Sequence, residues 1–187
     1  MKQPKSFFLI FLFSFFSMNA QITKNNWLVG GSGNFSYYES TQRSEYGESS
    51  HSGYIAALRP NVGYFIVDKF AVGAKVDLLF ANPEGRRNSE FGYDIGPFIR
   101  YYILETDKLV NFLTQASFSY GQSFTSAEHT PWVYGYGFRA GPVIFLNQDV
   151  AMEVTLDYNY SKFTANSSAS TNMFQIGIGF QIHLERY

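Results

Sequence analysis

Hydrophobic and polar residues alternate with a period of two through most of this chain. That is the repeat of an extended strand, whose successive side chains face opposite ways. Eight such stretches are predicted, near residues 26–38, 53–65, 69–81, 90–102, 109–121, 132–145, 149–161 and 172–184. One phase of each is apolar. It includes Trp27, Val29, Phe35 and Tyr37 in the first, Phe70, Val72, Val76, Leu78 and Phe80 in the third, and Phe174, Ile176, Ile178, Phe180, Ile182 and Leu184 in the last. No charged residue falls in this phase in any of the eight, and its aromatics gather toward the strand ends. An apolar band bordered by two aromatic girdles has this arrangement.

The opposite phase is small or polar, with Gly30, Ser32, Gly96, Ser117, Gly137 and Gln181 among its members. Beyond the first residue of each stretch it also carries four basic residues, Arg59, Lys75, Arg100 and Arg139, and four acidic ones, Asp77, Asp94, Glu153 and Asp157. Four against four is neutral, as an enclosed network requires. The connections fall into two classes. Residues 66–68, 103–108 and 146–148 are short; residues 39–52, 82–89, 122–131 and 162–171 are longer and rich in Ser, Thr, Asn, Glu and Gly. Eight strands with short turns on one side and long loops on the other predict an antiparallel up-and-down transmembrane β-barrel. Both termini would then be periplasmic and the longer loops extracellular. A soluble lipocalin-like barrel would put the large apolar phase inside. Here that phase has too many rings for an eight-stranded interior, which is only just wide enough for side chains.

Composition agrees. Aromatics make up 19% of the 187 residues, with 20 Phe and 14 Tyr, whereas charges make up only 16%. The cysteine count of 0 removes disulfides and thiolate metal sites. A formal net charge of −1 gives no basis for nucleic-acid binding, and three scattered histidines suggest no metal or other cofactor. The first 20 residues stand apart. Lys2 and Lys5 precede a run from Phe7 to Phe16 broken only by Ser14, and a polar stretch ends at Ala20. That is the layout of a secretory signal peptide, and the run is too short for a spanning helix, which needs roughly 20 apolar residues. Residues 1–20 are therefore expected to be a leader, and residues 21–187 the barrel domain. Removing Lys2 and Lys5 leaves 12 basic and 15 acidic residues, a net charge of −3.

On this pattern the chain resembles the small bacterial outer-membrane barrels, the OmpA membrane domain and OmpX among them. Residues 64–73 (YFIVDKFAVG), with Asp68 and Lys69 at the turn, look like a strand–turn–strand of that family's barrel. Residues 174–184 look like its closing strand. The resemblance implies a monomer seated in outer-membrane lipid, delivered by periplasmic chaperones and inserted by the outer-membrane assembly machinery. OmpA-type proteins often add a soluble peptidoglycan-binding domain; with the chain ending at Tyr187, none is expected here.

Four kinds of chemistry are open to such a barrel. Interior charges must pair, because a buried unpaired ion costs several kcal/mol. Arg139 can face Glu153 or Asp157, and Lys75 and Asp77 can face Asp94; a structural plug of salt bridges is expected rather than an ion path. Catalysis would need a histidine near a nucleophile or carboxylate. His51 lies beside Ser50 and Ser52, His129 beside Glu128, and His183 faces inward with Gln181. Neighbours of this kind are expected by chance in polar loops, and no enzyme activity is expected, a lipid-modifying one included. Narrow transport of ions or small apolar molecules, by analogy with OmpW-like barrels, would draw on the inward residues Leu79, Leu113 and Val133. Surface recognition would draw on the external loops, with Arg43, Glu45, Tyr46, His51, Glu128 and His129 as candidates. The leading expectation is a structural or surface-interaction barrel whose lumen is filled. The mature chain should begin at Gln21 and stay in solution only with detergent or lipid. An intact Met1 by mass spectrometry, or a folded mature chain in detergent-free buffer, contradicts this reading.

Overall fold

A computed structural model describes residues 22–44, 47–83, 90–125, 128–164 and 170–185. The expected leader, and Glu45 and Tyr46, lie outside the described residues. So do the side chains of Arg43, His51, Glu128 and His129. The eight strands are β1 (Trp27–Ser44), β2 (Gly47–Val67), β3 (Phe70–Pro83), β4 (Glu90–Tyr102), β5 (Val110–Thr125), β6 (Glu128–Phe145), β7 (Val150–Phe163) and β8 (Ser170–Leu184). Each pairs antiparallel with its sequence neighbours, and β1 with β8 closes the barrel. The predicted fold class is the observed one.

The strand ends differ from expectation mainly on the side away from the short turns. Residues 39–52, expected as a loop, are largely a β1–β2 ribbon in register to Ser44 opposite Gly47. Most of residues 122–131 likewise extend the β5–β6 hairpin, past a bulge between Gln122 and Phe124. Runs of Ser and Thr are compatible with strand, and continuing the ladder satisfies backbone groups that a loop would leave to water. Interruptions in three ladders sit at prolines. The β2–β3 pairing skips Arg59 and Pro60, the β4–β5 pairing skips Gly96 and Pro97, and the β6–β7 pairing skips Gly141 and Pro142. Proline has no N–H to give to a ladder.

The two phases separate as expected. Ile95, Ile99, Phe138, Leu156, Ile178 and Phe180 are exposed on the outer wall, whereas Arg59, Lys75, Arg100, Glu153 and Asp157 are buried inside. Glycine lets the wall close tightly at Gly96, where an added Cβ would run into the Phe118 carbonyl and the Ser119 backbone.

The interior nearest the short turns is apolar. Leu28, Phe65, Phe98, Tyr102, Leu113, Val143 and Phe145 gather there with Ile22, which is fully buried. Residues 22–26 are tied across this end of the barrel. Lys69 N donates to Ile22 O (2.8 Å), Asn25 N to Phe65 O (2.8 Å) and Lys24 N to Asp68 Oδ1 (2.8 Å). Asn25 and Lys69 take left-handed backbone angles, φ 75° and 66°, which fit the tight path. Lys69 Nζ donates to Glu105 Oε1 at 3.0 Å, a bond that holds the ammonium above the ordinary lysine pKa. Ile22→Ala should remove about 2–4 kcal/mol of stability in a denaturant titration of the folded barrel. An unchanged midpoint would mean that Ile22 does not act as a stopper.

Candidate functional site

The lumen is built in levels, because each strand contributes an inward side chain at every second residue. At the level above the apolar stopper stands Arg100, on β4. Its Nε donates to Gln115 Oε1 (2.9 Å), and its Nη1 donates to Glu153 Oε1 on β7 (2.7 Å) and to the Tyr102 hydroxyl (3.3 Å). Gln181 Nε2 donates to Glu153 Oε2 (3.3 Å). Both ions of this pair are buried, with side-chain exposures of 0% and 1%, so neither has water as an alternative partner.

His183 closes the level below. Its Nδ1 faces the Asp149 carbonyl (3.3 Å), which can only accept, so Nδ1 is the donor. In the neutral ring Nε2 then accepts from the Tyr102 hydroxyl (3.4 Å). The ring also packs against Phe65 and Phe145. Its partners are a tyrosine and a backbone carbonyl, not a serine or a carboxylate.

Further up, Arg139 makes a two-pronged contact with Asp157, from Nε to Oδ1 (2.9 Å) and from Nη2 to Oδ2 (2.8 Å). Nη2 also donates to Ser32 Oγ (2.8 Å). Arg139 and Asp157 are direct register partners on β6 and β7, whereas Glu153 lies opposite Val143. That offset decides between the two expected partners: Arg139 takes Asp157, and Glu153 is held by Arg100 from across the lumen. At the next level Lys75 pairs with Asp77, its neighbour two residues along β3. Arg59 Nε lies 3.5 Å from Asp77 Oδ1, an ion-pair contact longer than a hydrogen bond. Asp77 stands opposite Asp94 in the β3–β4 register. Asp94 Oδ1 is buried without a hydrogen-bond partner. All eight predicted interior charges therefore point inward, and only some of their expected pairings form.

Above this charged level the lumen widens into a cavity of about 210 Å³. Its wall includes Ala57, Leu79, Val133, Phe163 and Met173, over a floor that includes Arg59, Asp77 and Asp94. Below it a void of about 20 Å³ lies between the Arg59 and Arg139 levels, room for roughly one water. Of the three apolar residues expected near the mouth, Leu79 and Val133 line the cavity. Leu113 does not: it belongs to the apolar stopper at the opposite end, because it is the second inward residue of β5, two positions beyond the buried Asn111 at the turn. The stopper itself is absent from the sequence-based expectation. Its signal was present in the inward residues flanking the short turns, Leu28, Phe65, Tyr102, Leu113 and Phe145, which are large and apolar where the middle of that phase is mostly small or polar.

No family model matches the chain, and no curated protein matches it. Solved structures do. Neisserial surface protein A (NspA) superposes with a TM-score of 0.58 at 13% identity, over 84% of this chain and 96% of that one. The outer membrane protein OprG from Pseudomonas aeruginosa superposes with a TM-score of 0.53 at 12% identity, over 89% of this chain and all 100% of that one. At such identities the likeness is one of fold.

The buried pair is the sharpest test of the lumen. Arg100→Ala should cost roughly 3–5 kcal/mol, because Glu153 is left buried and unpaired. The double replacement Arg100→Ala with Glu153→Ala should recover a large part of that loss. Additive losses in the double-mutant cycle would show that the two residues do not act as a pair.

Proposed function

We propose that this chain, which has the closed eight-stranded fold of small outer-membrane barrels, resides in the outer membrane as a non-enzymatic structural or surface-interaction protein. The supporting observation is the sorting of side chains: an outer wall of exposed apolar residues, and an interior filled from Ile22 up to the Arg139–Asp157 pair. Water cannot cross a section occupied by fully buried Phe65, Tyr102, Leu113 and His183. An open-lumen pore is therefore disfavoured, and the barrel serves as an anchor that holds its hairpins at the cell surface. In this reading both termini face the periplasm and the long hairpins face outward. Surrounding lipid, periplasmic chaperones and the assembly machinery are its partners during biogenesis, and the barrel is a monomer.

A second reading is favoured by one feature, the cavity in the outer half of the lumen. Its mixed wall suits an ion or a small, partly apolar molecule, so narrow transport is the alternative. The two differ in whether solute crosses the stopper. In planar bilayers the purified protein should show no large, stable conductance steps, and Ile22→Ala should not create them while the Arg100–Glu153 level stays intact. Large, stable steps from the unmodified protein would exclude the filled-lumen reading.

A further inference from the structure

The cavity in the outer half of the lumen has two kinds of surface. Its wall includes the apolar side chains of Ala57, Leu79, Val133, Phe163 and Met173. Its floor carries Arg59, Lys75, Asp77 and Asp94, two positive and two negative charges, together with Asn159 and Gln175. The stopper closes the lumen beneath, where Phe65, Tyr102, Leu113 and His183 are fully buried, so entry is from the hairpin side. The volume of about 210 Å³ exceeds the roughly 150 Å³ in which an apolar cavity holds a benzene ring. A ring with a small head group therefore fits.

The cations of the floor are already engaged. Arg59 Nη1 donates to Asn34 Oδ1 on β1 (2.7 Å) and Nη2 to Gln175 Oε1 on β8 (3.1 Å), while Nε lies 3.5 Å from Asp77 Oδ1. Lys75 pairs with Asp77. An anion entering here would have to displace these contacts. The unmet groups of the floor are others. Asp77 Oδ1 and Asp94 Oδ1 are buried acceptors with no hydrogen-bond partner, and Asn159 Nδ2 is a buried donor with none. Asp77 and Asp94 stand opposite each other in the β3–β4 register, and Asn159 belongs to β7. A buried polar atom without a partner is costly and is rarely left so.

These three atoms describe a head group. Two acceptors and one donor are complemented by two N–H groups and one carbonyl, the inventory of a primary carboxamide. Charge gives the same answer. The four basic and four acidic interior residues sum to zero. An ionised head would bring an unpaired charge into the lumen, which is costly. Water meets polar atoms, but the apolar wall offers it no partner. The geometry points to the cavity as a binding site for a small neutral molecule with an apolar body and a head that both donates and accepts hydrogen bonds, a primary carboxamide being the plainest case. Asp77 and Asp94 take its N–H groups, Asn159 Nδ2 donates to its carbonyl, and its body lies against Leu79, Val133 and Phe163. This rests on the second reading above and names the ligand class of the same site, but it requires binding only, not passage across the stopper.

Benzamide, benzoate and benzylamine share one ring and differ in the charge of the head. In the full-length protein in lipid nanodiscs, equilibrium dialysis of radiolabelled benzamide should show a single saturable site, with protein-free nanodiscs as the blank for lipid partition. Unlabelled benzoate and benzylamine should compete at least about tenfold more weakly than unlabelled benzamide. Val133→Trp, which fills the cavity from its wall, should abolish the site. Asp94→Leu, which removes one of the acceptors, should weaken benzamide about tenfold. The competition series needs only the unmodified protein, so it stands whether or not the variants fold. Absence of saturable binding above the blank would overturn the proposal and leave the cavity to water. Competition by either charged compound as strong as that of benzamide would overturn it too, as would unchanged affinity in a folded Val133→Trp or Asp94→Leu barrel. Bilayer conductance reads passage separately. Saturable binding without conductance keeps this site and removes ion transport, whereas conductance without binding does the reverse.

Discussion

A backbone N–H or C=O in hydrocarbon has no water to turn to, and the rest of this structure follows from that constraint. A chain of strands can meet it only by closing on itself, so that each ladder is satisfied by the next. Closure then divides the side chains into two populations with opposite requirements. Those outside must be apolar, which the charge-free phase from Trp27 to Leu184 supplies. Those inside must fill a narrow space and satisfy one another. Small residues such as Gly96 and Gly141 let the wall close there, and Arg100, Arg139 and Arg59 span what remains.

The three arginines work differently because their levels differ in access to water. Arg100 and Glu153 are fully enclosed between the stopper and the Arg139 level, and among the described residues each is the other's ion-pair partner. Arg139 and Asp157 are cross-strand neighbours, and two hydrogen bonds fix their orientation. Arg59 borders the outer cavity and spends two of its donors on neutral side chains, Asn34 and Gln175. The interior thus grades from an apolar stopper through paired ions to a polar-floored cavity. Below the cavity it is a support, and the cavity is the widest space in the lumen among the described residues.

Much of this was legible in the residues. Period-two alternation is a local property, and it sorted Phe91, Ile95 and Ile99 outward and Asp94 and Arg100 inward without knowledge of any neighbour. Partner choice was not legible, because it depends on the stagger between strands. Glu153 and Asp157 have the same phase on the same strand, and only the β6–β7 register shows that Arg139 meets Asp157. The strand ends at the hairpin side were under-read because Ser- and Thr-rich segments carry little alternation even when paired. The tie that Arg59 makes between β1 and β8 was not legible either: Asn34 and Gln175 are unremarkable residues until one arginine is seen to hold both.

Two tryptophans offer the most direct measurement of the central claim that the apolar phase faces lipid. Trp27 lies at the turn end of β1 and Trp132 toward the hairpin end of β6, both partly exposed on the outer wall. Single-tryptophan variants (Trp27→Phe and Trp132→Phe) can be folded into bilayers whose lipids carry bromine at known depths. The account predicts that both indoles are quenched by brominated acyl chains, most strongly by bromines near the headgroups, as members of two opposite interfacial girdles. Quenching by aqueous iodide with no response to brominated lipid would contradict it.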